Sequence, residues 1–355
     1  MTAYIRALIA ISILASLAAC GGGAGDSSPS SGDNGNVSSG GNSGDVSNAP
    51  AVSIAGNLLT AVPPNTYAPG SDSANYFTVM NAARITAGAG AIAQSPMLDT
   101  SASAHANYEI ANMAAQGLSH DEIRGSTGYT GDTPDARIMS TGYAAALDCE
   151  LIGGADYVGG MLDSVNHASI FLGAMTSVGF GEASGQFGEL VVADLAATTN
   201  IGSVPASGKL VTYPYAGETS VPTTFEPAAE GIPTSEIASR QAGQPVLVGY
   251  RNADFLNYQA AHGAAPAVAV TTFSLSDSSG NMVPSTLVAQ TAGVTGPQGT
   301  VIQADALGEM SAGFVVLVPL APLTPGQTYT VTFAMTMAGA TTPAAPTTWS
   351  FTTAQ

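Results

Sequence analysis

Few side chains in this sequence could take a proton, hold a metal or attack a carbonyl. The 355 residues include four histidines (His105, His120, His167, His262) and two cysteines (Cys20, Cys149). His120 follows Ser119 and precedes Asp121 and Glu122, and His167 follows Asn166. Adjacency of Ser119 and His120 is not triad geometry, because triad members are defined by tertiary roles, and no Gly-x-Ser-x-Gly elbow is present. No His-Glu-x-x-His string places two metal ligands on one helix face, so joint chemistry by these histidines needs the fold to gather them. The glycine-rich strings, Gly-Gly-Gly at 21–23 and Gly-Phe-Gly-Glu at 179–182, lack the strand-to-helix setting of a nucleotide loop. His105 reads as structural, four residues before Glu109 on a helical face, and His262 reads as a loop residue of a β-rich module.

The elements that must position these groups follow from periodicity. Tyr76, Val79, Met80 and Ala83 repeat at helical spacing behind Asp72 and Ser73, the expected caps. A second helix is predicted over 99–117, where Ala102, Ala106, Ile110, Met113 and Ala114 share a face and Gly117 stops it. Pro134 opens a third, and a fourth is predicted over 155–165. Strands at 177–181 and 190–195 flank a glycine-rich turn. After residue 198 short β-rich runs recur between Pro, Gly and Asn punctuation, at 210–213, 246–250, 268–275, 314–319, 328–335 and 348–352. Helices first and strands late is an α+β order, and six or seven late strands predict a β-sandwich.

The N-terminus is of another kind. Arg6, an apolar run to Leu17 and then small residues make a secretory signal over 1–19, too short to span a bilayer. Leu17-Ala18-Ala19-Cys20 resembles a bacterial lipobox and predicts Cys20 as the lipid attachment, with more than one acyl chain providing stable anchorage. Lipidation of Cys20 leaves Cys149 without an intramolecular partner, and Cys149 is expected as a small buried hydrophobe. Residues 20–65 are expected as a Gly/Ser tether, since their first 30 residues are almost devoid of apolar side chains. Such a coil of roughly 45 residues spans about 35–40 Å. A formal charge of −18 with seven Lys+Arg excludes nucleic acid as partner and makes divalent cations the natural counterions.

Residues 66–200 resemble the CAP superfamily (cysteine-rich secretory, antigen and pathogenesis-related proteins), in its bacterial secreted branch. The strings that carry the resemblance are Asn81-Ala82-Ala83-Arg84, His105-Ala106 through Met113-Ala114, and Gly117-Leu118-Ser119-His120. Arg137-Ile138 with Gly142-Tyr143, Glu150-Leu151-Ile152, Asn166-His167 and Val178-Gly179-Phe180-Gly181 complete them. The resemblance implies an α-β-α sandwich with a cleft formed by His120, Glu150 and His167. Two neutral imidazoles and one carboxylate would leave an open position on a divalent cation such as zinc. This chain has Cys149-Glu150-Leu151 where the family has Gly-Glu-Asn, Met161 for a tryptophan and Ala168 for an arginine, and no second acid is assigned near Asp163 and Ser164. Residues 208–355 resemble a bacterial Ig-like module, from Tyr213-Pro214-Tyr215-Ala216-Gly217 to Trp349-Ser350-Phe351-Thr352-Thr353.

The combined expectation is a lipid-anchored protein of the bacterial envelope. The resemblance to bacterial lipoproteins implies, with Gly21 after the lipid cysteine, that it is held on the outer membrane, facing periplasm or exterior. Its cleft would bind a small apolar ligand, a cation or an envelope protein. The alternatives are a hydrolase of peptide or cell-wall bonds, using His120 or His167 as general base with Glu150 orienting it or sharing a metal, and a purely structural surface or adhesion protein.

Overall fold

The computed structural model describes residues 53–355, apart from 155–156, 187, 228–240, 290–292, 298–301, 305–309 and 341–345. Cys20, the signal segment and most of the expected tether lie outside the described residues. The end of that tether, however, is part of the fold. Asn57 Nδ2 donates to Gly202 O at 2.8 Å while Asn57 Oδ1 accepts from Val204 N at 2.6 Å, and Ile54 N donates to Asn257 Oδ1 at 2.7 Å. Ile54 and Val62 also pack against the two main cores, so residues 54–65, expected as tether, belong to the fold.

Ser71 caps α1 (Asp72–Ala87) through its side chain, and Gly88 ends it in the left-handed region. β1 (Ala93–Gln94) leads into α2 (Pro96–Gln116), which has proline in its first turn, and α3 (Pro134–Ser140) is capped by Thr133. Next come β2 (Leu147–Gly153), α4 (Tyr157–Leu162), α5 (Asn166–Phe171), β3 (Ser177–Gly185) and β4 (Gly188–Ala197). The four strands form one sheet in the order β1-β3-β4-β2. Alternation along a strand sends successive side chains to opposite faces. Cys149, Leu151, Val178, Phe180, Ala193 and Leu195 join the core made by α1, α4 and α5, while Val192 and Ala196 meet α2 and α3. Helices therefore cover both faces of the sheet.

On the α2 face two glycines fix how close the helix can come. A Cβ on Gly179 would lie 2.1 Å from Asp99 N, and one on Gly181 would lie 2.2 Å from the carbonyl carbon of Ala102. Gly179→Ala is expected to push α2 off the sheet and cost about 3 kcal/mol, measurable as a shifted midpoint in chemical denaturation with unchanged m-value.

The C-terminal half pairs a five-stranded sheet, β10-β8-β11-β6-β5, with a four-stranded one, β13-β12-β7-β9. The strands are β5 (Val211–Tyr213), β6 (Val246–Gly249), β7 (Val268–Ser276), β8 (Ser285–Ala289), β9 (Val294–Thr295), β10 (Ile302–Ala304), β11 (Phe314–Pro319), β12 (Thr328–Met337) and β13 (Thr347–Thr352). Val246, Val248, Val315 and Leu317 meet Phe273, Leu275, Val331 and Phe333 of the other sheet, as in a sandwich. The remaining residues of the same strands, Leu247, Phe314, Val316 and Val318, join the core of the α/β half. The five-stranded sheet is thus buried on both faces. That is why β6 and β11 read as unbroken apolar runs without alternation. The loop expected around His262 is instead the end of a helix, α6 (Ala253–His262), capped by Asn252, with the His262 ring stacked on Tyr258 at 4.0 Å.

Candidate functional site

The candidate site is a charge cluster between α2, α3 and the sheet. α2 contributes His105 and Glu109, four residues apart on one face. The loop after it brings Ser119, His120 and Glu122, α3 brings Arg137, and β2 and β4 place Glu150 and Asp194 opposite each other in register. The side chains of His105, Glu122 and Glu150 are fully buried, and that of His120 is 9 % exposed.

Glu150 is the hub. Its Oε1 lies 2.9 Å from His120 Nδ1 and 3.4 Å from His105 Nε2, and its Oε2 accepts from Arg137 at 2.7 Å. Burial alone would raise its pKa. His105, the His120 hydrogen bond and Arg137 outweigh that cost and hold it down at about 2. Arg137 also donates to His120 O at 2.8 Å and Gly131 O at 3.3 Å, which fixes the loop that carries His120. Glu122 likewise resists the upward push of burial, through His105, the Thr130 and Gly131 backbone N–H groups and Arg137, and its pKa is lowered.

These contacts assign protons. His105 Nδ1 faces the Glu122 carboxylate at 3.0 Å and Nε2 faces the Ser119 carbonyl at 3.0 Å. Both partners are acceptors, so both ring nitrogens carry hydrogen and His105 is a cation. Two carboxylates, Glu122 and Glu150, are then balanced by Arg137 and His105. His120 donates Nδ1–H to ionised Glu150, which leaves its Nε2 lone pair as the basic group at the surface of the cluster.

Two further acids behave in the opposite way. Burial and the neighbouring Glu150 charge push the Asp194 pKa well above the carboxylate range. Asp194 therefore keeps its proton beside an ionised neighbour. Burial also raises Glu109 to about 7, partly offset by His105. Between pH 4.5 and 7 the folded state holds a proton on Glu109 that the unfolded chain releases, so stability falls as pH rises through that window. Glu109→Gln is expected to remove this slope and to be more stable than wild type at about pH 8 but not at about pH 5, as calorimetric melting at both pH values would show.

Of the residues expected to share a cleft, the structure brings His120 and Glu150 into contact. His167 stands on α5, in the helical layer on the opposite face of the sheet, with its Nδ1 3.2 Å from Ser164 Oγ. The three do not form a ligand group. Among the described residues, the group whose potential ligand atoms all lie within 4.8 Å of one another is Asp72, Glu182 and Glu189, where Ser73 and Tyr76 donate to Glu182 and Glu189. The separation of His167 follows from strand alternation, because Cys149 and Leu151 point to the α5 layer and Glu150 points away from it. His105, Glu109, Glu122, Arg137 and Asp194 complete the cluster and were not expected as site residues. The His105/Glu109 spacing was visible in the sequence; the cross-strand pairing of Asp194 was not.

The fold and the cluster define a two-part chain, a helix-covered sheet joined through a shared core to a β-sandwich. Residues 261–353 match the family model described as a bacterial Ig-like domain. The match begins at the end of α6 and takes in β7 to β13, leaving out β5 and β6. Among solved structures, an outer surface protein from Borrelia burgdorferi is similar at 14% identity and a TM-score of 0.31, over 39% of this chain and 100% of that one. An extracellular protein containing an SCP domain from Bacillus anthracis str. Ames is similar at 18% identity and a TM-score of 0.29, over 35% of this chain and 40% of that one. No curated protein matches. No helix of the described residues is long and apolar enough to cross a membrane.

Proposed function

We propose that this chain is a lipid-anchored envelope protein whose CAP-like α-β-α domain, residues 66–200, recognises a ligand through His120, with the Ig-like module as a rigid support. The observation that carries the reading is the satisfied cluster behind His120. Glu150 is ionised, paired three times and buried, so it holds the imidazole in one tautomer and has no capacity left for a further cation. One basic nitrogen on a neutral, locked base suits recognition of a hydrogen-bond donor or weak single-point capture of a cation. A zinc centre needs at least three protein ligands, and His167 does not supply one. The helices on both faces of the sheet, and the positions of the Asn81-Ala82-Ala83-Arg84 and Gly-Phe-Gly strings within it, support the CAP-like assignment. The His120–Glu150 hydrogen bond also has the form of an oriented general base, which is the basis of the hydrolase alternative.

Imidazole ¹⁵N spectra test the cleft. In its neutral form His120 is expected as the Nδ1–H tautomer, read at about pH 8, and an Nε2–H tautomer would contradict the reading. Release of dye from labelled cell-wall or peptide substrate that His120→Ala abolishes would transfer the site to the hydrolase alternative. The anchor has its own test. Cys149 is buried but, contrary to the expectation that it lacks a partner, has no free thiol, and Cys20 is the other cysteine of the chain. A lipid thioether and a disulfide at Cys20 exclude one another. Intact-mass spectrometry decides between them: acyl mass on Cys20 would support the anchor, and a Cys20–Cys149 peptide without acyl mass would overturn it.

A further inference from the structure

A cavity of ≈ 250 Å³ lies at the seam of the two halves, and its lining includes neither His120 nor Glu150. Leu147, Leu172 and Met175 border it from the α/β half, and Val211, Met310 and Phe314 border it from the β-sandwich. Gly249 on β6 keeps the sandwich wall open, since a Cβ there would lie 2.8 Å from the Phe314 ring. The two methionines give the wall adaptable thioethers.

Arg251 is also part of the lining. Its guanidinium donates to Ile201 O at 2.9 Å and Asn200 O at 2.8 Å, which hold it in place without neutralising it. Among the described residues no carboxylate lies within 4.0 Å of it, in a chain with 25 acidic side chains and seven basic ones. Burial lowers its pKa, consistent with a cation that lacks an anionic partner. Asp148 borders the same cavity, but alternation along β2 turns its carboxyl with that of Glu150 toward α3, where burial and Asp135 raise it to about 6.

We propose that this cavity binds a medium-chain monocarboxylic acid, with the alkyl chain against Met175, Met310 and Phe314 and the carboxylate on Arg251. A cavity of about 150 Å³ accommodates benzene, so this one suits a chain of about eight to ten carbons. The guanidinium fork favours a carboxylate head over a cationic one.

Calorimetric titration of the mature chain carrying Cys20→Ser, whose fold is checked by an unchanged melting temperature, tests this with butanoate, hexanoate, octanoate and octylamine. Octanoate is expected to bind 1:1, with affinity rising about fourfold per added methylene from butanoate, and octylamine at least tenfold more weakly. Arg251→Gln is expected to weaken octanoate at least tenfold. Ser311→Trp, at a half-buried lining position, is expected to abolish binding with an unchanged melting temperature and leaves the carbonyl contacts of Arg251 intact. Absence of octanoate binding to the Cys20→Ser chain, equal binding of octylamine, or octanoate binding retained in a folded Ser311→Trp protein would each overturn the proposal.

Discussion

Replacement of Arg137 by leucine is expected to lower the folding free energy by about 3–5 kcal/mol, because it leaves the buried carboxylates of Glu150 and Glu122 without their guanidinium. Arg137 lies 2.7 Å from Glu150 Oε2 and 3.8 Å from Glu122 Oε1, with a side chain 1 % exposed. The loss has a particular pH signature. In the wild-type protein the Glu150 pKa is depressed, so its stabilisation is complete above the unfolded value near 4.5 and disappears as pH falls toward 2. In Arg137→Leu that pKa rises, and the acid limb of the stability curve moves to higher pH. The double variant Arg137→Leu with Glu150→Gln is expected to recover part of the loss, because the stranded charge is gone. Chemical denaturation between about pH 3 and 7 checks both statements; a cost under about 1 kcal/mol with an unmoved acid limb would show that the pair is not coupled.

Arg84→Met is expected to cost about 4 kcal/mol for a different reason. The Arg84 guanidinium is completely buried and has no carboxylate partner among the described residues; it donates to the carbonyls of Gly90, Phe171, Ala89, Gly173 and Met175. Burial lowers its pKa to about 10, so it remains charged at neutral pH. Each hydrogen bond to a charged donor contributes roughly 1.5–3 kcal/mol and the losses do not simply add. The residue ties the end of α1 to the turn after α5, next to Asn81, which holds Ile92 N at 2.7 Å. Differential scanning calorimetry is expected to show a melting point lower by about 10 °C, and Arg84→Lys is expected to recover less than half of it, since an ammonium cannot reach five carbonyls.

These two arginines also show what the sequence revealed and what it did not. The string Asn81-Ala82-Ala83-Arg84 stood out by resemblance, and its role is structural: both polar residues close a loop through backbone groups. Gly179 and Gly181 stood out likewise, and their cause is the close approach of α2. Helical periodicity placed α1, α2 and α3 within a few residues. β2 was not predicted, since the run from Leu147 to Gly153 carries two acids, of which Glu150 is neutralised by partners distant in sequence and Asp148 is buried beside Asp135. α6 was hidden in a region of strand-like punctuation, where the capping Asn252 was the available signal. The shared core was legible in principle from the unbroken apolar run at Phe314–Pro319, which a strand with one wet face would not show.

The expected trio failed to assemble for a reason that spacing could not reveal. Whether Glu150 and His167 meet depends on which face of β2 the carboxyl occupies, and a one-residue difference in register reverses the answer. The neighbours Cys149 and Leu151 decide it, because they fill the core beneath α4 and α5.

That His120, held by Glu150, acts without His167 can be tested by calorimetric titration of Zn²⁺ into the Cys20→Ser protein and its His120→Ala and His167→Ala variants at about pH 7.5, where a free imidazole is neutral. Weak single-site binding is expected, lost in His120→Ala and unchanged in His167→Ala, since one imidazole falls short of the three protein ligands of a zinc centre. A sub-micromolar site that both substitutions destroy would show instead that the two histidines share a metal.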